Sequence, residues 1–342
     1  MSIHEDMINL AGAAGCGGKA ARVMEYMLAG EGTDDTYSAI LRAIASREQS
    51  DGELKTMLDT IRRFMVSVEW NGNPAIDVCG TGGDGLGTFN ISTAAAFVAA
   101  ASGATVAKHG NRSSSGNSGS AEIFQGLGVD IMACPVEQML DICRICFMFA
   151  PRYHTAARHV AAARHMLGMC TVFNTLGPLC NPAGVRRQLV GVSDINMVGR
   201  MPRILAGCGA ERVICVMSAE GADELLPVSK NVVCSYVDGK YHTSTVRPED
   251  VGARRTTMSD ILLDGRDPLA IFAGAVCGRT NMGAVHTVAM NAGAGLYVAG
   301  LAESMREGFR DALESIESGN AEKLLHQFTK QYGDAATLEG MT

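Results

Sequence analysis

The sequence predicts an α/β protein, with a small helical lobe joined to a larger lobe built on a mainly parallel central sheet flanked by helices. Three observations carry this. The first 70 or so residues show apolar positions at helical spacing and no strand pattern. From Pro74 onward, short β-type runs alternate with helix-length segments, the pattern of parallel strands joined by crossover helices. The chain has 342 residues, long for one unit against a prior of about 100–200 residues per domain. The boundary falls near residue 72, giving 1–72 for the helical lobe and 73–342 for the α/β lobe.

Each element has a local reason. Ala20 to Leu28 keeps apolar residues on one helical face and ends at Gly30; Thr33 and Asp34 cap a helix over Tyr37 to Ala45, and Asp51 begins another through Phe64. Ala75 to Cys79 is a β-type run that ends in glycines, followed by a small-residue helix over Ser92 to Ala101. Ala104 to Ala107 is a second short run, followed by a Gly/Ser loop and a helix near Ser120. Further strands are expected at Leu189–Val192, Val213–Met217 and Val232–Val237. The chain from Pro268 is expected to be mostly helical, including Ala289 to Ala299.

Composition narrows the function. A net charge of −7 argues against a nucleic-acid binder that works by counterion release. The eleven cysteines mostly sit in apolar runs, where a thiol behaves as a small hydrophobe, and a reduced cytoplasm is the expected home. His4, Glu5 and Asp6 stand where a signal peptide would be basic. Cys143 and Cys146 form a CxxC in a helix-like stretch with no second pair at zinc spacing, so packing is the expected role. The longest apolar run, Thr93 to Ala101, is too short to span a bilayer, so no membrane partner is expected.

The 40 glycines become informative where they cluster. Gly80-Thr-Gly-Gly-Asp-Gly-Leu-Gly87 joins a strand to a helix and runs into Thr88-Phe-Asn-Ile-Ser-Thr93. Backbone amides in such a loop, with those of the helix N-terminus, make an anion cradle that a bulkier main chain would not let a phosphate approach. The GK[ST] ending of a P-loop is missing. Ser92 and Thr93 either cap the helix or bind phosphate or metal. A second loop, Lys108-His-Gly-Asn-Arg112 followed by Ser113 to Ser120, mixes cations, hydroxyls and glycines in the same strand–helix position, which suits a polyphosphate and its sugar hydroxyls. If the strands before them are neighbours, both loops face one crevice at the carboxyl ends of the sheet.

Two further features join them. Asp223 and Glu224 follow a strand, where they form either an exposed acidic turn or a Mg²⁺ site shared with substrate phosphates. Arg164 lies on a solvated helix face or takes a substrate carboxylate bidentately, and His154 is a ligand contact or a satisfied structural histidine.

Gly80-Thr-Gly-Gly-Asp84 with Asn90-Ile-Ser-Thr93, Lys108-His-Gly-Asn-Arg112, Gly119-Ser120, Phe149-Ala-Pro151 with Tyr153-His154, Phe173-Asn174 with Leu176-Gly-Pro178, Asn181-Pro182 and Asp223-Glu224 occur in this order. In this the chain resembles the anthranilate phosphoribosyltransferases, over nearly its whole length. The resemblance implies the fold shared with pyrimidine nucleoside phosphorylases, a contribution of about 166–186 to the helical lobe, a cleft between the lobes and a homodimer through the helical lobe. It implies transfer of the phosphoribosyl group from 5-phosphoribosyl-1-diphosphate (PRPP) to the amine of anthranilate, with Mg²⁺ as cofactor, in tryptophan biosynthesis. PRPP would meet Gly80, Gly83, Asp84, Thr88, Asn90, Ser92, Thr93, Lys108, Asn111, Arg112, Ser115, Gly116 and Ser120. Anthranilate would meet Gly80, Asn111, His154 and Arg164, and Mg²⁺ would meet Ser92, Asp223 and Glu224. No residue is implied as general acid or base. The chain departs from the family at Asn117, where Lys is usual, at Glu122, where Asp is usual, at Cys170, where a basic residue is common, and over Ser46 to Gln49. The competing readings are a transferase of this fold acting on another aromatic acid or amine, and a non-catalytic relative that binds nucleic acid.

Overall fold

A computed structural model describes residues 3–13, 18–113 and 119–339. Four helices open the chain: Ile3–Gly12, Gly18–Ala29, Asp34–Ala45 and Asp51–Arg63. The Thr33 side chain accepts from the Thr36 amide at the start of the third, and Ser50 with Glu53 forms a reciprocal capping box at the fourth. Arg47, within the stretch that departs from the family, grips both oxygens of Glu53 at 2.7 and 3.1 Å and donates to Ala11 O, tying the first helix to the third and fourth.

A seven-stranded sheet follows, built from β1 (Ala75–Gly80), β2 (Thr105–Gly110), β3 (Ile145–Phe149), β4 (Arg187–Gly191), β5 (Arg212–Ser218), β6 (Asn231–Val237) and β7 (Lys240–Val246). Its order is β3-β2-β1-β4-β5-β6-β7; the first five strands are parallel, and β6 and β7 are antiparallel. The mainly parallel sheet flanked by helices is therefore as the sequence predicts. The β1 and β2 strands are neighbours, so the two glycine loops share one end of the sheet.

Strand alternation separates two cores. Ile76, Val78, Leu189 and Ile214 face one, with the helices Ile91–Ala101 and Met282–Ala299 packed on them. Cys79, Val190, Val213 and Cys215 face the other, with Met24, Met27, Ile40, Leu41 and Leu58 of the N-terminal helices and Val172, Phe173 and Leu176. Ile91–Ala101 is buried nearly all round, as a helix without a polar face must be.

Three local readings change. Ile145–Phe149 is a strand, so Cys143 ends the helix Val136–Cys143 while Cys146 lies in β3, and the CxxC does not form one helical pair. Strand β7 was not foreseen. The helix before Ala101 has Asn90 at its N-cap, without a side-chain cap bond, so Ser92 and Thr93 sit in its first turn and are not its caps. The ten described cysteines are free thiols, most of them buried, and burial pushes Cys180 up to about 12; Cys16 lies outside the described residues. No helix among the described residues is long and apolar enough to cross a membrane.

Candidate active site

The carboxyl ends of β1, β2, β4 and β5 meet at a cleft of about 740 Å³. Gly82, Gly83, Gly85 and Gly87 all have positive φ, between 64 and 80°, which coils the loop after β1 around the mouth of this cleft. The loop is pinned from outside by Leu263 N donating to Gly87 O at 2.9 Å and by a bridge between Thr88 and Leu262.

Asp84, Asp223 and Glu224 bring carboxylate oxygens within 4.8 Å of one another. The Gly82 amide donates to Asp223 Oδ2 at 2.7 Å, and the Ser92 amide donates to Glu224. Asp223 approaches the sheet so closely that a Cβ at Gly80 would lie 2.2 Å from its Oδ2 and one at Gly191 1.5 Å from its carbonyl oxygen. Burial, followed by the charge of Asp84, pushes Asp223 up to about 6; burial, followed by Asp223, pushes Glu224 well above the usual carboxylate range. Asp84 Oδ2 and Glu224 Oε2 are buried without a hydrogen-bond partner among the described residues. Three crowded carboxylates with two orphaned oxygens fit a divalent cation that takes oxygen ligands. The exposed-turn reading of Asp223 does not hold, because that residue is buried. Sequence reasoning set Asp84 against the diphosphate, whereas its carboxylate joins this cluster.

Lys108 is 1% exposed; its Nζ donates to Val78 O at 2.7 Å and to Ser92 Oγ at 3.3 Å, and burial draws its pKa down. The Ser120 hydroxyl comes close to Gly110, where a Cβ would lie 2.3 Å from Oγ. Asn111 Oδ1 accepts from the Arg112 amide at 2.8 Å. The Arg112 guanidinium is half-exposed, paired with Glu122 at 3.1 Å and stacked over Phe149. Glu122 also accepts from the Gly119 amide at 2.9 Å, so this departure from the family joins the two ends of the second loop. Ser115 and Gly116, with Asn117, lie outside the described residues.

Across the cleft, Arg164 on the helix Ala161–Leu167 donates to Asn174 Oδ1 at 3.3 Å and lies over the Phe173 ring, 5.5 Å from its centre. It is half-buried and lines the cleft, so it does not stand on a solvated face. His154 Nε2 donates to Cys180 O at 3.1 Å and burial lowers its pKa, which keeps the ring neutral. Its ring centre lies 5.0 Å from that of His109, which burial and His154 together bring down to about 3. Gly80, Gly83, Thr88, Asn90 and Thr93 also line the cleft, so every described candidate faces one space. Sequence reasoning missed Leu28, Ile61 and Phe64, which close the cleft from the N-terminal helices and look like ordinary core positions, and missed His109, which it quoted only as part of a motif. Cys170 is exposed beside Gly83, a neutral thiol at the lip of the first loop.

Comparison with known proteins agrees with this geometry. The model of the glycosyl transferase family, a/b domain, matches residues 72–322. An anthranilate phosphoribosyltransferase of Cenarchaeum symbiosum is 45% identical over 316 residues, which is 91% of this chain and 92% of that protein. One of Nitrosopumilus maritimus is 42% identical over 93% of this chain and 92% of its own length. The crystal structure of anthranilate phosphoribosyltransferase from Thermus thermophilus superposes with a TM-score of 0.87 at 35% identity, covering 96% of this chain and 99% of that one. The Saccharomyces cerevisiae enzyme in complex with PRPP and Mg superposes with a TM-score of 0.80 at 25% identity, covering 95% and 93%. With its two glycine loops, carboxylate cluster and facing arginine in one cleft, the chain belongs to the anthranilate phosphoribosyltransferase family.

Proposed function

We propose that this chain transfers the 5-phosphoribosyl group of PRPP to the amine of anthranilate, giving N-(5-phosphoribosyl)anthranilate and diphosphate in tryptophan biosynthesis. The observation that carries this is one cleft holding a buried ammonium and three carboxylates at one end and a half-buried guanidinium on the opposite wall. That separation suits a donor rich in phosphate and an acceptor bearing a carboxylate.

The amine nitrogen bonds to the anomeric carbon as the carbon–oxygen bond to diphosphate breaks; the electron pair leaves with the diphosphate, and the new aryl ammonium gives up a proton. An aryl amine is uncharged at neutral pH, so its attack needs alignment over the anomeric carbon and no strong base. The amides of the Gly80–Gly87 loop, with Thr88, Asn90, Ser92 and Thr93, meet the diphosphate as its charge grows, and Lys108 adds a fixed positive charge. Asn111, Arg112 and Ser120 continue the PRPP contact. Arg164 holds the anthranilate carboxylate, flanked by Asn111, Gly80 and the neutral His154. Asp84, Asp223 and Glu224, with Ser92 beside them, would hold Mg²⁺, which when bound neutralises charge on the departing diphosphate.

The same reading keeps about 1–72 with 166–186 as one helical lobe. It is supported by the core that joins Met24 and Ile40 to Val172, Phe173 and Leu176. Pairing of two copies through this lobe in the cytoplasm belongs to the proposal; Ile3, Met166 and Met169 offer exposed apolar surface for it.

The test is loss of anthranilate fluorescence on mixing the purified protein with PRPP and Mg²⁺. Turnover with another aromatic amine but none with anthranilate would overturn the assignment of the acceptor. Arg164→Ala is expected to raise the KM for anthranilate roughly tenfold or more, with the PRPP KM nearly unchanged, because a bidentate contact to one substrate is lost. Steady-state kinetics at varied anthranilate decide it, and an unmoved anthranilate KM removes Arg164 from that role.

A further inference from the structure

Beneath the cleft, the ladder between β1 and β2 stops early. It runs only through Ala75↔Thr105 and Ile76↔Val106, although β1 stays paired with β4 to Gly80↔Gly191 and β2 with β3 to Gly110↔Phe149. The gap is bridged by side chains. Asp77, fully buried on β1, accepts from the His109 amide at 3.2 Å through Oδ1 and from Asn181 Nδ2 at 2.7 Å through Oδ2. Asn181 Nδ2 also donates to Ala107 O at 2.8 Å, and Asn181 Oδ1 accepts from the Ala183 amide at 2.9 Å. Lys108 Nζ donates to Val78 O across the same gap. The backbone groups of β2 that find no partner on β1 are therefore met by one carboxylate and one carboxamide.

We propose that Asp77 is a positioning residue for the transfer: with Asn181 it holds β1 and β2 apart at a fixed spacing, which sets the Lys108–Asn111 segment against PRPP. This rests on the function proposed above. Asn181 also ties in the turn after Gly177–Leu179, whose Cys180 carbonyl holds His154 and whose Leu179 carbonyl accepts from Arg62 at 2.8 Å. One buried pair thus registers the PRPP side of the cleft against the wall that carries His154. A carboxylate is required at 77 because both of its neighbours are donors. Asn there accepts from one and turns its own N–H₂ on the other.

The experiment is Asp77→Asn in the full chain, read by steady-state kinetics and by amide hydrogen exchange over 107–111. The expected result is faster exchange in that segment and a PRPP KM raised roughly tenfold, with a smaller change in the anthranilate KM. Adding Asn181→Asp restores a matched donor and acceptor between 77 and 181 and is expected to recover part of the PRPP KM. A role in stability alone lowers the active fraction, and so kcat, without moving either KM. Wild-type turnover of anthranilate together with unchanged KM and exchange in Asp77→Asn overturns the proposal. Absence of wild-type turnover overturns the functional reading instead, and the exchange result still decides whether Asp77 holds the gap. If Asp77→Asn does not fold, Asn181→Ser, which keeps the bond from His109 to Asp77, carries the same measurements, and unchanged exchange and PRPP KM there are equally fatal.

Discussion

Changing Asp223 to Asn together with Glu224 to Gln is expected to lower kcat/KM by roughly three orders of magnitude or more while raising the melting temperature at pH 7 in the presence of a chelator. The loss follows from the cation site. Two of the three converging carboxylates become neutral amides, and the orphaned oxygens that fit a divalent ion no longer carry charge. The gain in stability follows from the same crowding. Asp223 moves from an ordinary value of 3.8 up to about 6 on folding. Below pH 3.8 it is protonated in both states; as pH rises toward 6, the unfolded chain ionises first and folding loses ground. Above 6 the whole difference persists, about 3 kcal/mol at 1.36 kcal/mol per pH unit. Neutral amides remove this penalty, and Asn at 223 still accepts from the Gly82 amide. The stability difference between variant and wild type should therefore be largest at pH 7–8 and shrink toward pH 4. Mg²⁺ should raise the wild-type melting temperature at pH 7 and leave the variant unmoved. Thermal melts with chelator and with Mg²⁺ at both pH values, beside the kinetics, check this. Normal turnover by the variant, or a wild-type melt indifferent to Mg²⁺ at pH 7, would sink the metal assignment.

The site residues that could be read from the sequence share a physical property: their function constrains the chain locally. A phosphate cradle needs glycines between a strand and a helix, so Gly80 to Gly87 announces itself within eight residues. Asp223 and Glu224 are adjacent and follow a strand. What stayed hidden is long-range. Asp77 and Asn181 are 104 positions apart, and nothing in Ala75-Ile-Asp-Val-Cys79 says that the carboxylate in this apolar run bridges a split sheet. Leu28, Ile61 and Phe64 sit at helical core spacing, and only the packing of the N-terminal helices against the sheet turns them toward the cleft. Strand β3 escaped because Ile-Cys-Phe-Met-Phe is apolar at every position and buried on both faces, so it lacks the alternation that marks a half-buried strand. Strand β7 escaped for the opposite reason: Lys240 to Thr243 are all exposed at the sheet edge, and no apolar face marks the run. The fold class survived these omissions because it rests on the alternation around β1, β2, β4 and β5.

Lys108→Met is expected to reduce kcat/KM for PRPP by roughly a thousandfold, through a raised PRPP KM and a lowered kcat, while the KM for anthranilate stays within about threefold. The size comes from burial. The Lys108 ammonium lies in the interior, where a charge aimed at a growing anion is little screened, and it is held between Val78 O and Ser92 Oγ beside the carboxylate cluster. Arg112 provides the contrast. It is half-exposed and already paired with Glu122, so its replacement by Met should cost about threefold or less, as exposed ion pairs generally do. Met keeps most of the stem volume of Lys, so the cavity term is small, but it leaves Val78 O without its donor. An unmet buried acceptor costs about 1–3 kcal/mol, and the melting temperature of Lys108→Met should fall. The two large-effect changes thus abolish activity with opposite effects on stability: the carboxylate replacement relieves repulsion, and the lysine replacement breaks a satisfied contact across the β1–β2 gap. Melting curves and PRPP kinetics on the same preparations separate them. A Lys108→Met protein that melts early yet binds PRPP with wild-type KM would confine the ammonium to holding the strands.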